Sequence, residues 1–406
     1  MTDLLICINR SDFPAEIPHD FYLPQEAPTV LAGPVDLLKR PRFTILNSRQ
    51  SPRLSKDSEW AKKTLELLRS LDPKEAVLVS SLGTTAWDFL SWAGARLGFP
   101  VILVFPGGSA LNFKVVRTKA IMNLGLDDAK TLAIRPLLLK KYKNKLEKNA
   151  LRDHWVFALS QKYNPVSVRQ GGNLDKRLQH PSLPEDAINL THALKYKPAE
   201  PKSRIAIPEK DYQPDDFDAK QYLIHWTRIC IGPWPDESTA DYFSRTINEA
   251  EDQDGFATLK RIINEKRIRA SNRLIRGGYQ VVPFTARPPE ALAELVKWRS
   301  GLRRWTFEPY GLAVNKEKLE EMGARPVIYG NLAKFDALSE EDKPFFQLEG
   351  SGKHDWREER EWRLLGDLNL GKFKRSEIAV ITYHKAEAEL VQQHKKVKII
   401  YYRNDR

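Results

Sequence analysis

Two patterns of apolar positions alternate over the first 180 residues. Runs that are apolar almost throughout, LLICI at 4–8, FTILN at 43–47, AVLVSS at 76–81, VILVF at 101–105, TLAI at 131–134 and PVSV at 165–168, predict strands. Between them, Ser55–Leu71, Thr84–Leu97 and Leu151–Gln161 repeat their apolar residues at helical spacing. Strands without a polar face need cover on both sides, and alternating helices supply it. The pattern therefore predicts a doubly wound, mostly parallel, Rossmann-like α/β domain over residues 1–180.

Residues 181–220 break both patterns. Prolines at 181, 184, 198, 201, 208 and 214 remove donors and fix φ, so this stretch reads as an extended, Pro-rich linker. Residues 221–406 then show shorter strands at Tyr222–Thr227, Val281–Thr285, Tyr310–Val314, Pro326–Tyr329, Glu361–Leu365, Ile378–Thr382 and Val397–Tyr401. Helices are predicted at Phe256–Lys266, Pro289–Arg299 and Lys385–Gln393. They do not fall between every strand pair, which predicts an α+β domain.

The 406 residues suit two domains. With 41% hydrophobic and 10% aromatic residues, the chain has apolar surface for real cores, and global disorder is excluded. No stretch approaches the ~20 apolar residues of a membrane-spanning helix. Met1–Arg10 lacks the basic-then-apolar pattern of an export signal, so a cytoplasmic location and no membrane partner are expected. The two cysteines, Cys7 and Cys230, have no CxxC spacing and no histidine at zinc-ligand distance, so no metal is expected. Against 53 acidic residues stand 65 basic ones, a net +12 that favours nucleotides, nucleic acid or other anionic partners.

In an open parallel sheet, ligands bind beyond the carboxyl ends of the strands. The loops there contain Ser48-Arg49, Ser81-Leu82-Gly83-Thr84, Gly107-Gly108 and Arg169-Gln170-Gly171. Ser48, Arg49, Ser81, Gly83, Thr84, Gly107, Gly108, Arg169 and Gly171 are therefore candidate ligand contacts, although ordinary strand–helix turns use the same residue types. Thr85 and Asp88 have the spacing of a capping box at the following helix. The runs PVDLLKRPRFTILNSRQSP and VLVSSLGTTAWDFLSWAGARLGFPVILVF, within residues 30–180, resemble the Rossmann core of the DNA-processing (Smf/DprA) proteins and the wider SLOG nucleotide-sensing superfamily. That resemblance implies binding of a nucleotide, a nucleotide-derived signal or single-stranded nucleic acid, with no catalytic group.

Three segments stand out in the second half: Ile224-His225-Trp226-Thr227-Arg228, Phe307-Glu308-Pro309-Tyr310-Gly311-Leu312 and Trp356-Arg357-Glu358-Glu359-Arg360-Glu361-Trp362-Arg363. On a strand, Glu359 and Glu361 share a face, and two carboxylates together call for a cation or for developing positive charge. Cleavage of an N-glycosidic bond through an oxocarbenium-like state meets that requirement. In this reading His225 holds the ribose of NAD, Tyr310 stacks on nicotinamide, and Glu361 or Glu359 stabilises the cation. The simpler readings are a packed histidine, a core tyrosine, and glutamates paired with nearby arginines.

These segments resemble the His-Tyr-Glu variety of the ADP-ribosyltransferase fold, and phage-resistance proteins of the AbiGi type, over roughly residues 220–403. The resemblance implies NAD as substrate, Glu361 rather than Glu359 as the catalytic glutamate that stabilises the oxocarbenium and orients the 2′-hydroxyl, and Trp226, Thr227 and Arg228 as NAD contacts. It also implies an antiviral defence effector, acting as a homo-oligomer or with a companion defence protein. Arg269 and Ser271 are candidates for the pyrophosphate. The basic run containing Lys260, Arg261, Lys266 and Arg267 is a candidate for nucleic-acid phosphates, or a solvated helix face, as is the run Lys140–Lys148. Two functions follow: a NAD-consuming ADP-ribosyltransferase-like effector regulated through its first domain, or a non-enzymatic adaptor that binds single-stranded nucleic acid.

Overall fold

A computed structural model of the chain describes residues 4–7, 12–24, 28–51, 54–55, 57–137, 145–197, 207, 217–248, 253–299, 304–349, 356–392 and 397–403. The chain divides into two compact units, Met1–Glu200 with Ile231–Glu251, and Pro201–Cys230 with Asp252–Arg406.

The first unit holds strands β1 (Leu4–Cys7), β2 (Thr29–Ala32), β3 (Arg42–Asn47), β4 (Val77–Ser81), β5 (Val101–Val104), β6 (Thr131–Pro136) and β7 (Lys162–Ser167). They form one sheet in the order β1-β2-β6-β5-β4-β3-β7. From β6 to β7 all neighbours run parallel, while β2 joins β6, and β1 joins β2, in antiparallel fashion. Helices α1 (Glu59–Arg69), α2 (Thr85–Arg96) and α3 (Phe113–Leu124) carry the chain stepwise from β3 to β6. Right-handed crossovers in one direction place all three on one face. Helix α4 (Lys145–Leu159) returns to β7 and therefore crosses the other face, and α5 (Asn173–Leu178) follows. The result is the expected Rossmann-like α/β layering, with β1 and β2 as an added antiparallel edge.

Sequence explains the tightness of this core. Strands β4 and β5 are buried at every position, because helices cover both faces. Helix α2 lies close on β4 because Gly94 has no side chain; a Cβ there would stand 2.3 Å from Leu78 Cδ2. Helix α6 (Thr239–Asn248), distant in sequence, belongs to the same core, with the Phe243 ring 5.5 Å from those of Phe89 and Trp92. The expected linker is packed over its first part: Leu183 and Ala187 are buried, and Leu194 donates its backbone N–H to Val166 O at 2.6 Å. Its prolines end elements here without freeing the chain. Residues 198–206 and 208–216 lie outside the described residues.

The second unit contains β8 (Tyr222–Trp226), β9 (Arg267–Ile268), β10 (Val281–Thr285), β11 (Trp298–Arg299), β12 (Arg304–Trp305), β13 (Gly311–Asn315) and β14 (Arg325–Pro326). It continues with β15 (Ile328–Gly330), β16 (Phe346–Leu348), β17 (Glu361–Leu365), β18 (Leu368–Asn369), β19 (Ile378–His384) and β20 (Lys398–Arg403). Its main sheet has the order β14-β17-β10-β8-β13-β19-β20, antiparallel except for the parallel pair β19–β20. One face, with Leu223, Phe284, Leu312 and Leu364, packs with Leu259, Ile262 and Ile263 of helix α7 (Gly255–Glu265). The other, with Ile224, Trp226, Ala313 and Ile381, packs with Leu292 and Val296. The helix expected over Pro289–Arg299 shrinks to a 3-10 turn and the short α8 (Leu292–Leu295). The chain then turns into the hairpin β11–β12, where Trp298 packs edge-on against Trp305 at 5.3 Å. That cross-strand aromatic pair outweighs the helical spacing.

Candidate functional site

On the first unit, the loops after β7, β3, β4 and β5 share one rim, since those strands are parallel neighbours. Ser48 Oγ accepts the Arg169 backbone N–H at 2.8 Å, which joins two of the loops, and the Arg49 and Arg169 side chains are exposed. Gly83 takes φ 92° at the head of α2. The helix cap is Thr84, whose hydroxyl accepts Trp87 N–H, one residue before the expected Thr85. Asp88 accepts the Gly83 N–H at 2.8 Å, and burial pushes its carboxyl up to about 6 against the pull of that bond and of Arg152.

Other rim candidates serve the fold. Ser81 is fully buried and donates to Val104 O at 2.7 Å, so it is core and not a ligand contact. Gly107 is buried, and Gly108 donates to Pro136 O at 3.0 Å. Gly171 is exposed with φ 69°, its N–H bonded to Asp175 at 2.8 Å.

Strand register decides where the expected triad goes. Thr285 pairs with Glu361 on one side and with Ile224 on the other, so Glu361 projects from the face that carries Ile224. His225, the next residue, projects from the opposite face, beside Phe284 at 5.9 Å between rings. Tyr310 joins His225 on that face, packed against Phe256 at 5.5 Å with its hydroxyl donating to Glu387 at 2.9 Å. The imidazole, phenol and Glu361 carboxylate therefore do not converge.

His225 has another task. Pro283 has no N–H to offer β8, and His225 Nδ1 sits 2.8 Å from the Pro283 carbonyl oxygen, so that nitrogen carries the proton. Burial depresses the imidazole to about 4, which keeps it neutral. Trp226 is buried core, and the Thr227 hydroxyl donates to Gly255 O at 2.7 Å. Glu308 accepts Ile229 N–H at 3.0 Å and Gly255 N–H at 2.7 Å, which ties the β8 exit to the start of α7. Gly255 is required there, since a Cβ would meet Glu308 and Tyr310 at 2.9 Å.

The carboxylate pair does form a site, though not as a strand. Glu359 ends a 3-10 turn, Trp356–Glu359, and Arg360 takes the left-handed φ of 44° before β17 begins at Glu361. A residue with a side chain is strained there, and the turn is held by Thr285 Oγ1 donating to Glu359 O. The two carboxyls then divide. Arg363, 1% exposed, grips Glu361 at 2.8 and 3.3 Å while also donating to Pro344 O, Phe346 O and Gln347. The Glu359 carboxyl has no hydrogen-bond partner among the described residues. It lines a small pocket with Leu295, Lys297, Arg299, Thr306, Trp356 and Glu358. Burial, and then the charge of Glu361, push it up to about 7 despite Arg299, Arg228 and Lys297. Arg299 stacks on Trp356 at 4.2 Å.

Sequence reasoning missed Lys297, Arg299 and Arg304, whereas the pairing of Glu361 with Arg363 is the simpler reading of the glutamates. A signal existed for the hairpin: Trp298-Arg299 and Arg304-Trp305 mirror each other about a Ser-Gly turn dipeptide.

The remaining candidates are engaged elsewhere. Arg269 pairs with Glu265 at 3.0 Å, and the Ser271 hydroxyl accepts Arg273 N–H at 3.1 Å. Arg261 also pairs with Glu265, and Arg267 with Asp367, so these two cations of the basic run are neutralised within the fold. Lys260 and Lys266 are exposed, and Lys266 is the left-handed C-cap of α7. Residues 140–144 lie outside the described residues.

No known protein family matches the chain, and no curated protein does. Among solved structures, similarity is found to DNA processing protein A. The protein from Streptococcus pneumoniae is 16% identical with a TM-score of 0.30, over 42% of this chain and 55% of that one. That from Helicobacter pylori, whose structure concerns its single-stranded DNA binding mode, is 17% identical with a TM-score of 0.30, over 42% of this chain and 72% of that one. This chain thus spans about half the length of the first. At such distance no residue role passes from those proteins to this one.

Proposed function

We propose that the second unit is an enzyme acting at the N-glycosidic bond of a nucleotide, with Glu359 as its proton-handling group. The observation that carries this is the division of the paired carboxyls. Glu359 is raised to about 7 in a pocket, and Glu361 is held in an ion pair with Arg363. Two carboxyls in different surroundings, one raised by burial and the other held in an ion pair, suit the cleavage of a glycosidic bond, in which one carboxyl donates to the leaving group and one stabilises positive charge. Glu359 would protonate the departing base, and the fixed charge of Glu361 would favour the oxocarbenium. His225 and Tyr310 support the sheet in this reading and take no part in the chemistry.

NAD+ is the first substrate to test, with hydrolysis or ADP-ribose transfer as outcomes. Its nicotinamide leaves as a neutral group without a proton, whereas the base of a purine nucleotide needs one. Chromatographic detection of released base from NAD+ and from AMP, with and without added nucleic acid, checks the reading. Glu359→Gln should lower release from AMP by about 10²–10⁴-fold and from NAD+ by much less. No release from either, or release undiminished in both Glu359→Gln and Glu361→Gln, sinks it. Antiviral use rests on the resemblance alone.

The second reading, a single-strand-binding adaptor, is favoured by the exposed Arg49 and Arg169 on the rim of the first unit. Fluorescence anisotropy of a labelled single-stranded oligonucleotide tests it. Affinity should fall steeply with salt, and replacing both arginines with alanine should flatten that dependence.

A further inference from the structure

Arg304 is 6% exposed, and its guanidinium, whose nitrogens keep a little contact with solvent, has no hydrogen bond or ion pair among the described residues. Arginine presents five donors and stays charged, so a fold that buries one ordinarily satisfies it. Arg363 in the same unit shows the ordinary solution, with four partners. Around Arg304 the surroundings are instead cationic. The charges of Arg228 and Arg273 bear on it, and among the described residues only Cys230 acts in the opposite sense. Arg228 makes one long bond, 3.4 Å to Thr306 O, and is itself opposed by Arg273. Arg273 is exposed, on a turn where Leu274 takes a strained φ of 67°. Hairpin register pairs Arg304 with Arg299, and the charges of both Arg299 and Arg228 reach Glu359. Arg228 thus reaches the carboxyl pocket, through Thr306 of its lining and through the effect of its charge on Glu359, and Arg273 and Arg304 stand around Arg228.

We propose that Arg228, Arg273 and Arg304 seat a phosphate or pyrophosphate group of the substrate, with Arg304 at the bottom of the seat. This deepens the reading of the second unit as a nucleotide-acting site and rests on it: the substrate is a 5′-phosphorylated nucleoside and not a free nucleoside. Forked donors match phosphate oxygens in pairs, and a dianion neutralises what the fold leaves uncompensated. The depth of Arg304 suits a phosphate at the end of a small molecule. A polymer backbone passes over a surface and would not reach it. Burial and the two neighbouring arginines depress Arg304 to about 9, which is the cost that a bound anion would remove.

The test uses the full chain in phosphate-free buffer, with inorganic pyrophosphate, ADP and adenosine as probes, read by calorimetry and by thermal melting. Pyrophosphate and ADP should bind and raise the melting temperature, and adenosine should do neither. Arg304→Met should weaken pyrophosphate binding about tenfold or more. Without ligand, that variant should melt at the same temperature as the parent or higher, because it removes an unpaired buried charge. A structural arginine would behave oppositely. Should Arg304→Met fail to fold, Arg273→Ala at the exposed rim carries the same binding prediction.

Failure of the parent to bind pyrophosphate overturns the seat, as does equal binding by the variants. So does competition by an unphosphorylated-end oligonucleotide as effective as pyrophosphate. Measuring pyrophosphate binding in Glu359→Gln separates the two claims. Binding retained there, with no base released by the parent from any nucleotide, leaves the seat standing and removes the proposed reaction. Base release without anion binding does the reverse.

Discussion

Glutamine in place of Glu359 keeps the side chain's size and removes its charge, so it measures what the pocket does to that carboxyl. In the folded protein the carboxyl is raised to about 7, against 4.5 in a free chain. The folded state therefore holds a proton that the unfolded state releases between those values. Stability is fully present below pH ~4.5, falls as pH rises, and reaches its lower plateau above pH ~7. At ~1.4 kcal/mol for each tenfold in proton affinity, the full gap corresponds to ~3 kcal/mol. Glu359 is partly exposed, and solvent screening reduces the expected loss to about 1–2 kcal/mol. Urea unfolding should thus show Glu359→Gln more stable than the parent by about 1–2 kcal/mol at pH 8.5, and equal to it at pH 4. A variant less stable than the parent at pH 8.5 would mean that the carboxylate is paired in the folded state, and the proton-handling role would go with it.

Asp88→Asn in the first unit should follow the same sign over a lower window, because Asp88 is raised from 3.8 to about 6, chiefly by burial. The asparagine still accepts the Gly83 N–H, so a gain of about 1 kcal/mol at pH 7.5 that disappears at pH 4 is expected in denaturant titrations. Arg363→Met should cost about 3–5 kcal/mol, read as a lower urea midpoint, since it strands two buried carbonyls and the Glu361 carboxylate together. His225→Phe should cost about 1–2 kcal/mol through the unsatisfied Pro283 carbonyl and leave base release per folded molecule unchanged. A hundredfold fall in turnover with an intact fold would return His225 to the chemistry.

The parallel sheet of the first unit was legible because its strands hold runs that are apolar almost throughout and its helices carry apolar residues at their own spacing. Strand β2 escaped notice, since four residues between Pro28 and Gly33 offer no period to read. Helix α6 was not read at all, and the boundary at residue 221 left its residues with the second domain, whereas they belong to the first unit. Its aromatic face, Tyr242 and Phe243, shows that it packs on something, but only coordinates show that the partner is Phe89 and Trp92. In the second unit, strand positions followed from β-branched and aromatic runs. The β11–β12 hairpin was hidden because Pro289–Arg299 satisfies a helical spacing as well.

The candidate site was half legible, and parity explains which half. A motif in sequence names residue types in order, whereas a site needs side chains on one face, and along a strand the face changes with every residue. His225 and Trp226 were chosen together, yet only one of them can share a face with Glu361. The register through Thr285 gives that place to Trp226, which fills it as core. Arg228 lies beyond the end of β8, where strand alternation no longer governs, and its charge acts on both Glu359 and Glu361. The carboxylate pair survived its own wrong premise in the same way: the strained turn at Arg360 replaces the strand and still leaves the two charges acting on each other. What the sequence could not display was compensation. Of the buried or half-buried arginines near this pocket, Arg363 is spent on the fold and Arg304 is not, and that difference, invisible in residue order, is what points to an anion.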